Sequence, residues 1–304
     1  MNLDEIDTRL YQELQRNGRV PMEELAGLVG LSRVAVRARV ARLIDGGALR
    51  VIGIVHPNAL GIRSFAHLSI SVAGSARAVA QAVAALESVP LVSVVAGRAA
   101  LIAEAHATSP TALREVILSV RNMENVTHVE TVVYTERIKD VYAPPGIISS
   151  TEIDQVDRQI LDALKSNGRA SFAQIARGTN FSASAIRARV NQLTSRGVVR
   201  ISTVMARDMA GLQHMCGFGV RLRGGSGTVS AIEAMTSVSY LSLTLSRWEA
   251  IGTVLARSEA EVVSELDYIR SIPGVAALES WTHLEVVKEN NQLTSLRFSA
   301  PTRD

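Results

Sequence analysis

Between Ile6 and Leu43 the apolar residues fall on a helical period. Ile6, Leu10 and Leu14 recur every four residues and predict one buried helix face, with Gly18 expected to supply a left-handed stop. A second, short helix is expected from Pro21, burying Leu25 and Leu28, and the turn after it holds Gly30, a residue at ease with positive φ. Ser32 then stands where an N-cap belongs, and Val36, Val40 and Leu43 form an inward stripe that ends at Gly47. Leu49–Val55 is a β-branched run that reads as a strand. After Gly61 the pattern changes. Ser64–Val72 alternates, Arg77–Leu86 is helical, and Leu91–Ala96 and Leu101–Ala105 are strand-like. Pro110–Arg121 is helical with Pro at its first position, and Val126–Ile138 is a strand rich in Val and Thr. The order of this second segment is βαββαβ.

The whole pattern occurs twice. Residues 4–61 align without a gap on residues 154–211, sharing Asp7/Asp157, Leu14/Leu164, Asn17-Gly18-Arg19/Asn167-Gly168-Arg169, Ser32/Ser182, Arg37-Ala38-Arg39-Val40/Arg187-Ala188-Arg189-Val190, Gly47/Gly197 and Arg50/Arg200. Val156, Ile160 and Leu164 with Gly168 repeat the first helix, Ser171 caps the second with Ile175 inward, and Asn180 replaces Gly30 as the second residue type that tolerates positive φ. The third helix repeats as Ile186, Val190 and Leu193, ended by Gly197, and the strand as Val199–Met205. A weaker match aligns Thr108–Glu130 with Arg257–Glu279. The second βαββαβ set reads Cys216–Leu222, Ser230–Met235, Tyr240–Leu245, Ala250–Leu255, Glu259–Arg270 and Val275–Val287.

The expected organisation is a helical domain over 1–60, an α+β domain over 61–140, a linker at 141–152, a second helical domain over 153–210, a second α+β domain over 211–290 and a tail at 291–304. The linker contains Tyr142-Ala143-Pro144-Pro145-Gly146 and Ser149-Ser150, which are hostile to helix. A ferredoxin-like sandwich is the simplest reading of each βαββαβ segment: helices cover one sheet face, and the other, also apolar, predicts pairing between the copies or between chains.

Composition narrows the class. The 304 residues are 47% hydrophobic and 20% charged, which fits globular domains and excludes a disordered or collagen-like chain. One cysteine cannot form an internal disulfide, and every apolar run is interrupted before the ~20 residues a membrane span needs. The opening Met1–Leu10 is acidic where a signal peptide would be basic, so a cytoplasmic protein, not membrane-bound, is expected. Aromatics are 4%, too few for the stacking platforms of single-strand binders.

Net charge is only 32 − 29 = +3, but its placement is uneven. No acid occurs from Leu25 to Ile44 or from Ala163 to Arg207, while arginine is frequent in both stretches. A capped helix after a tight turn, with arginine on its outer face, fits a helix-turn-helix whose recognition helix enters the major groove of double-stranded DNA. Guanidinium groups fork onto guanine edges or phosphates, and helix N-termini donate to phosphate. The candidate DNA-binding residues are Ser32, Arg33, Arg37, Arg39, Arg42 and Arg50, with Ser182, Ser184, Arg187, Arg189, Gln192 and Arg200 in the second copy. Arg33 against Ala183 and Arg42 against Gln192 suggest unlike half-sites.

The run Gly30–Leu43, the short strand leading to Leu60-Gly61 and the βαββαβ module together resemble the Lrp/AsnC (feast/famine) family, over nearly the whole chain and twice. The resemblance implies α+β architecture, with two winged helix-turn-helix domains each followed by a ferredoxin-like domain. It also implies transcriptional regulation, homo-oligomers built through the sheets, a nucleoid-associated location, and a small effector, often an amino acid, bound between modules. That family's effector loop carries a glycine followed three residues later by aspartate. Here the corresponding residues are Gly97-Arg98-Ala99-Ala100 and Ser246-Arg247-Trp248-Glu249. A zwitterion needs an anionic partner, so the expected effector residues are Gly97, Arg98 and Ala100, and Arg247, Trp248 and Glu249, with Glu249 beside Arg247 as the pair. Arg98 and Arg247 recur at one position and suit an acidic effector instead.

Two other readings compete. Fused Lrp-like pairs that decarboxylate sirohaem use paired histidines near a cavity between modules. The histidines here (56, 67, 106, 128, 214 and 283) are spread through the chain without metal-ligand spacing, and both arginine clusters are present. An architectural DNA-compacting protein is the other alternative. Without a P-loop, a dinucleotide fingerprint or a nucleophile and base, neither an enzyme nor a cofactor is expected. Trp248 and Trp281 are expected as core or interface anchors.

Overall fold

A computed structural model describes residues 4–141, 153–205, 214–224 and 226–289. The expected linker, beyond Val141, and the tail at 291–304 lie outside the described residues. The chain divides into two compact units, each combining like segments of the two copies: residues 1–60 with 142–211, and residues 61–141 with 212–304.

In the first unit, α1 (Glu5–Arg16), α2 (Met22–Val29), α3 (Arg33–Asp45) and β1 (Leu49–Val55) are mirrored by α6 (Gln155–Ser166), α7 (Phe172–Ala176), α8 (Ala183–Ser195) and β6 (Val199–Met205). Helices α1 and α6 start with reciprocal capping boxes, Asp4 with Asp7 and Asp154 with Asp157. Leu10, Leu14, Leu25, Val36, Val40 and Leu43 form the first copy's core, as their spacing predicts. Leu28 does not join them: it is 45% exposed, and its carbonyl accepts from Arg9.

The copies interlock. β1 pairs antiparallel with β6, from Leu49 opposite Met205 to Val55 opposite Val199. Gly18 N–H donates to Ile201 and Gly168 N–H to Val51, both at 2.8 Å. Arg19 donates to the Gly168 and Ala170 carbonyls, and Arg169 to those of Gly18 and Val20, at 2.7–2.9 Å. This reciprocity accounts for the repeated Asn-Gly-Arg. Gly18 and Gly168 are therefore not left-handed stops: α1 and α6 end on extended Asn17 and Asn167, and neither glycine has positive φ. A Cβ at Gly18 would lie 2.8 Å from Val51, and one at Gly168 2.9 Å from the Ile52 backbone, so close approach demands glycine there.

The turn before the third helix also differs from expectation. Gly30 has φ +71°, but Asn180 is not at positive φ. Helix α7 ends earlier, and Thr179 Oγ, bonded to the Ala176 carbonyl and the Phe181 N–H, shapes the turn instead.

The second unit holds β2 (Ser64–Val72), α4 (Ala76–Ala84), β3 (Leu91–Ala96), β4 (Leu101–Ala107), α5 (Pro110–Arg121) and β5 (Val126–Asp140). Its second copy supplies β7 (His214–Leu222), α9 (Ser226–Ala234), β8 (Val238–Thr244), β9 (Ala250–Ala256), α10 (Glu259–Ser271) and β10 (Val275–Glu289). Each set has the ferredoxin-like strand order, and the two sheets close into one barrel, β10-β3-β4-β2-β5-β8-β9-β7. Closure comes from the fifteen-residue strands. β5 pairs with β2 through Val133 and then with β8 from Tyr134, while β10 pairs with β7 through Thr282 and with β3 over Thr282–Glu289. The pairing expected of the uncovered sheet faces is thus made within the chain, which removes the free edges.

Helices α4 and α5 cover one sheet, burying Leu68, Ile70, Val83 and Leu101, and α9 and α10 the other, burying Phe218, Ile232, Leu241 and Ile269. At about 1.5–3 kcal/mol per buried side chain, these two layers are the main stabilising term of the unit. Inside the barrel lies a third cluster, Val95, Ile102, Val132, Trp248, Ile251 and Trp281.

Candidate nucleic-acid interface and effector pocket

Each third helix is fixed at its start by its serine: Ser32 Oγ accepts from Ala35 N–H and Ser182 Oγ from Ala185 N–H, both at 3.2 Å. Burying Val36, Val40 and Leu43 turns Arg33, Arg37 and Arg42 outward, and the same packing in α8 exposes Ser184, Arg187 and Gln192. Among the described residues no ion pair involves Arg37 or Arg187, and Arg33 has only a 3.9 Å approach to Glu23. Ser184 Oγ lies 2.8 Å from Ser182 Oγ. Arg50 is exposed on β1, and Arg200 half-buried on β6.

Arg39 and Arg189 are placed otherwise than their acid-free surroundings in sequence imply. Arg39 meets Asp4 at 2.5 Å and Asp7 at 2.9 Å; Arg189 meets Asp154 at 2.6 Å and Asp157 at 2.8 Å. Arg42 also reaches Asp7, at 2.7 Å. The Asp7 N–H and then Arg39 hold the Asp4 carboxyl below its ordinary value, and hydrogen bonds to Asp4 and Asp7 raise Arg39. The acids come from the capping boxes of α1 and α6, far from α3 and α8 in sequence. They tie the third helix to the first.

In the barrel, the β3–β4 loop with Arg98 and the β8–β9 loop with Arg247 and Trp248 line one pocket that opens to solvent. Arg247 pairs with Glu130 at 2.6 Å and Glu279 at 2.5 Å and lies 3.7 Å over the Trp248 ring. Ser69, Ser71 and His128 of the first copy complete the polar wall, and Trp281 the apolar one. Glu249 is not the partner of Arg247. Its carboxylate accepts from the Leu222 N–H at 2.9 Å, capping the end of β7 away from the pocket lining. Gly97 abuts Trp281, and Ala100 packs on the helix-side core while donating to the Ile70 carbonyl. The anions that sequence reasoning missed, Glu130 and Glu279, carry a signal after all: they are equivalent residues in the weaker of the two internal alignments.

The histidines, dispersed in sequence, converge in part. His67 lies 5.2 Å from the Trp281 ring and 6.4 Å from that of Trp248. Burial, with the charges of His283 and Arg247, pulls it down to about 3. His106 falls to about 4 through burial and Lys288. Burial pushes the Glu104 carboxyl up to about 7, although Tyr134 donates to it at 2.7 Å. Among the described residues no group of three or more His, Cys, Asp or Glu is placed to hold a metal ion, and no helix is long and apolar enough to cross a membrane.

Comparison with known proteins follows the same division. The AsnC-type helix-turn-helix domain matches residues 3–44 and again 153–194, and the Lrp/AsnC ligand binding domain matches residues 65–144. The HTH-type transcriptional regulator FL11 of Pyrococcus abyssi is 30% identical over 144 residues, covering 46% of this chain and 95% of that regulator. FL11 of Pyrococcus horikoshii is 23% identical over the same shares. Over nearly the full length, the chain shares its fold with the siroheme decarboxylase NirDL, at TM-score 0.69 and 15% identity, covering 93% of this chain and 92% of that one. The family matches and the repeated helix-turn-helix agree with the geometry: the chain belongs to the Lrp/AsnC family of helix-turn-helix transcriptional regulators, with the helix-turn-helix present twice.

Proposed function

We propose that the chain is a two-headed regulator that grips duplex DNA with the outer faces of α3 and α8, and that a small zwitterion in the barrel pocket modulates it. The observation that carries the reading is the placement of Arg37 and Arg187. They occupy equal, exposed positions on two capped helices of one unit, without an acid partner among the described residues. Ser32, Arg33, Arg42 and Arg50, with Ser182, Ser184, Gln192 and Arg200, serve as flanking contacts to phosphate or base edges. Arg39 and Arg189 support these faces from behind through their aspartates.

For the effector, the lining charges Arg98 and Arg247 against Glu130 and Glu279 balance, with the excess of carboxylate around Arg247 and a guanidinium at the exposed rim. That polarity suits an ammonium inside and a carboxylate outside, as in an amino acid. We further read the chain as a cytoplasmic, nucleoid-associated regulator rather than an enzyme, on the strength of the two exposed arginine faces and the regulator relatives.

Titration of promoter duplex at several salt concentrations, with and without amino acids, tests this. Wild-type affinity should fall with salt at a slope near −0.9 per phosphate contacted, and replacing Arg37 and Arg187 with alanine should lower both affinity and slope. Unchanged binding by that variant would remove the proposed interface.

A further inference from the structure

We infer that the helix-turn-helix unit reads a non-palindromic operator in one fixed orientation, with Arg33 and Val34 discriminating at the first head and Ser184 and Asn191 at the second. This rests on the DNA-binding reading above. A homodimeric helix-turn-helix protein presents one set of side chains twice, and its operator repeats accordingly as an inverted pair. Here the heads are covalently distinct and held as one body by the β1–β6 pairing and the reciprocal Arg19 and Arg169 bonds. Neither head can take the other's place without turning the whole unit over.

The outer faces share a frame and differ within it. α3 exposes Arg33, Val34, Arg37, Ala38 and Ala41, and the same positions in α8 are Ala183, Ser184, Arg187, Ala188 and Asn191, all exposed. Arginine and alanine recur at the third and fourth of these positions. Elsewhere a guanidinium faces a methyl, an isopropyl group faces a hydroxyl, and a methyl faces a carboxamide. Val34 is 78% exposed and presents its isopropyl group on this outer face. In the major groove its complement is the thymine methyl group. Arg33, one residue before it, forks onto guanine O6 and N7, whereas the carboxamide of Asn191 matches adenine N6 and N7. The shared Arg37 and Arg187 place the same contact in both half-sites, and the unlike neighbours give each half-site a different flank.

Selection of bound sequences from a randomised duplex library by the full chain tests the inference. The expected result is two different half-sites in constant order. Symmetric duplexes built from either half-site alone should bind roughly 5- to 150-fold more weakly for each mismatched step. The variant Ala183→Arg, Ser184→Val, Asn191→Ala, Gln192→Arg changes only exposed positions and gives the second head the first head's face. It should keep the wild-type melting temperature and select an inverted repeat of the first half-site. A wild-type consensus that is itself an inverted repeat, a variant consensus identical to wild type, or binding without sequence preference would each overturn the inference while leaving DNA binding intact. Failure to bind any duplex would overturn both.

Discussion

Gly217 lies opposite Trp281 in the β7–β10 ladder, and a methyl group on its Cα would overlap the indole of that tryptophan. The ring has little room to withdraw. Trp281 is 7% exposed and packs at 5.7 Å against Trp248, which is 4% exposed and fills the space over Gly219; His67 lies 5.2 Å from Trp281 and 6.4 Å from Trp248, so the three rings form one cluster. Overpacking a filled core costs about 1–3 kcal/mol, and a clash between backbone and a boxed ring belongs at the upper end. For a unit of this size, about 3 kcal/mol lowers the melting temperature by roughly 6–12 °C. The chain's two tryptophans both lie in the barrel interior, so tryptophan fluorescence, excited selectively at long wavelength, follows this unit during thermal unfolding. Gly217→Ala should lower the midpoint by that amount and change the native emission. Trp281→Val removes the obstacle, and in the double variant the two losses should fall short of additivity by about 1–3 kcal/mol. A Gly217→Ala midpoint within about 2 °C of wild type, or strictly additive losses, would refute the packing argument.

Asp7→Ala removes a carboxylate that is 1% exposed and serves both Arg39 and Arg42, but those arginines are 28% and 50% exposed and recover water. The cost should therefore be about 1–2 kcal/mol in urea unfolding, below the ~3–5 kcal/mol of a fully buried broken pair, while non-specific duplex affinity at low salt rises. An unfolding midpoint unchanged from wild type would contradict the assignment of Arg39 to the helix clamp. The pH dependence separates the buried groups of the barrel. Glu104, at about 7 against an ordinary 4.5, holds an extra proton in the folded state between those values, so its contribution falls as pH rises through that window. His67, at about 3, and His106, at about 4, each against 6.5, hold fewer protons when folded, so their contributions are lost as pH falls through those windows. Between about pH 4.5 and 6.5, stability should thus rise by a net one proton's slope, about 1.4 kcal/mol per pH unit, and in Glu104→Gln by about twice that. Parallel profiles for the two proteins in urea titrations would refute the buried state of Glu104.

Much of this architecture is legible in local pattern. The four-residue spacing of Ile6, Leu10 and Leu14, the serine caps and the alternation of Ser64–Val72 specify helices and strands because hydrogen bonding and amphipathicity act over a few residues. The strands Leu49–Val55, Ser64–Val72 and Leu91–Ala96 and the helix Pro110–Arg121 match the pattern end to end. The duplication, the outward Arg37 and Arg187 and the family resemblance belong to the same level. Where the reading failed, the reason is physical. Gly18 looked like a helix stop because its partner, Val51, belongs to a contact that periodicity does not encode. Arg39 looked solvent-facing because its acids sit a whole helix-turn-helix away.

The amino-acid order by itself thus determined the elements, their twofold repetition and the chemical character of each surface, since these follow from neighbours in the chain. Only the tertiary structure decided which charges meet. Closure of the barrel brings Glu130 and Glu279, one from each copy, to Arg247 and leaves Glu249 to cap a strand. Such pairings depend on register and strand crossing between distant segments, where a shift of one residue would exchange the inward and outward faces.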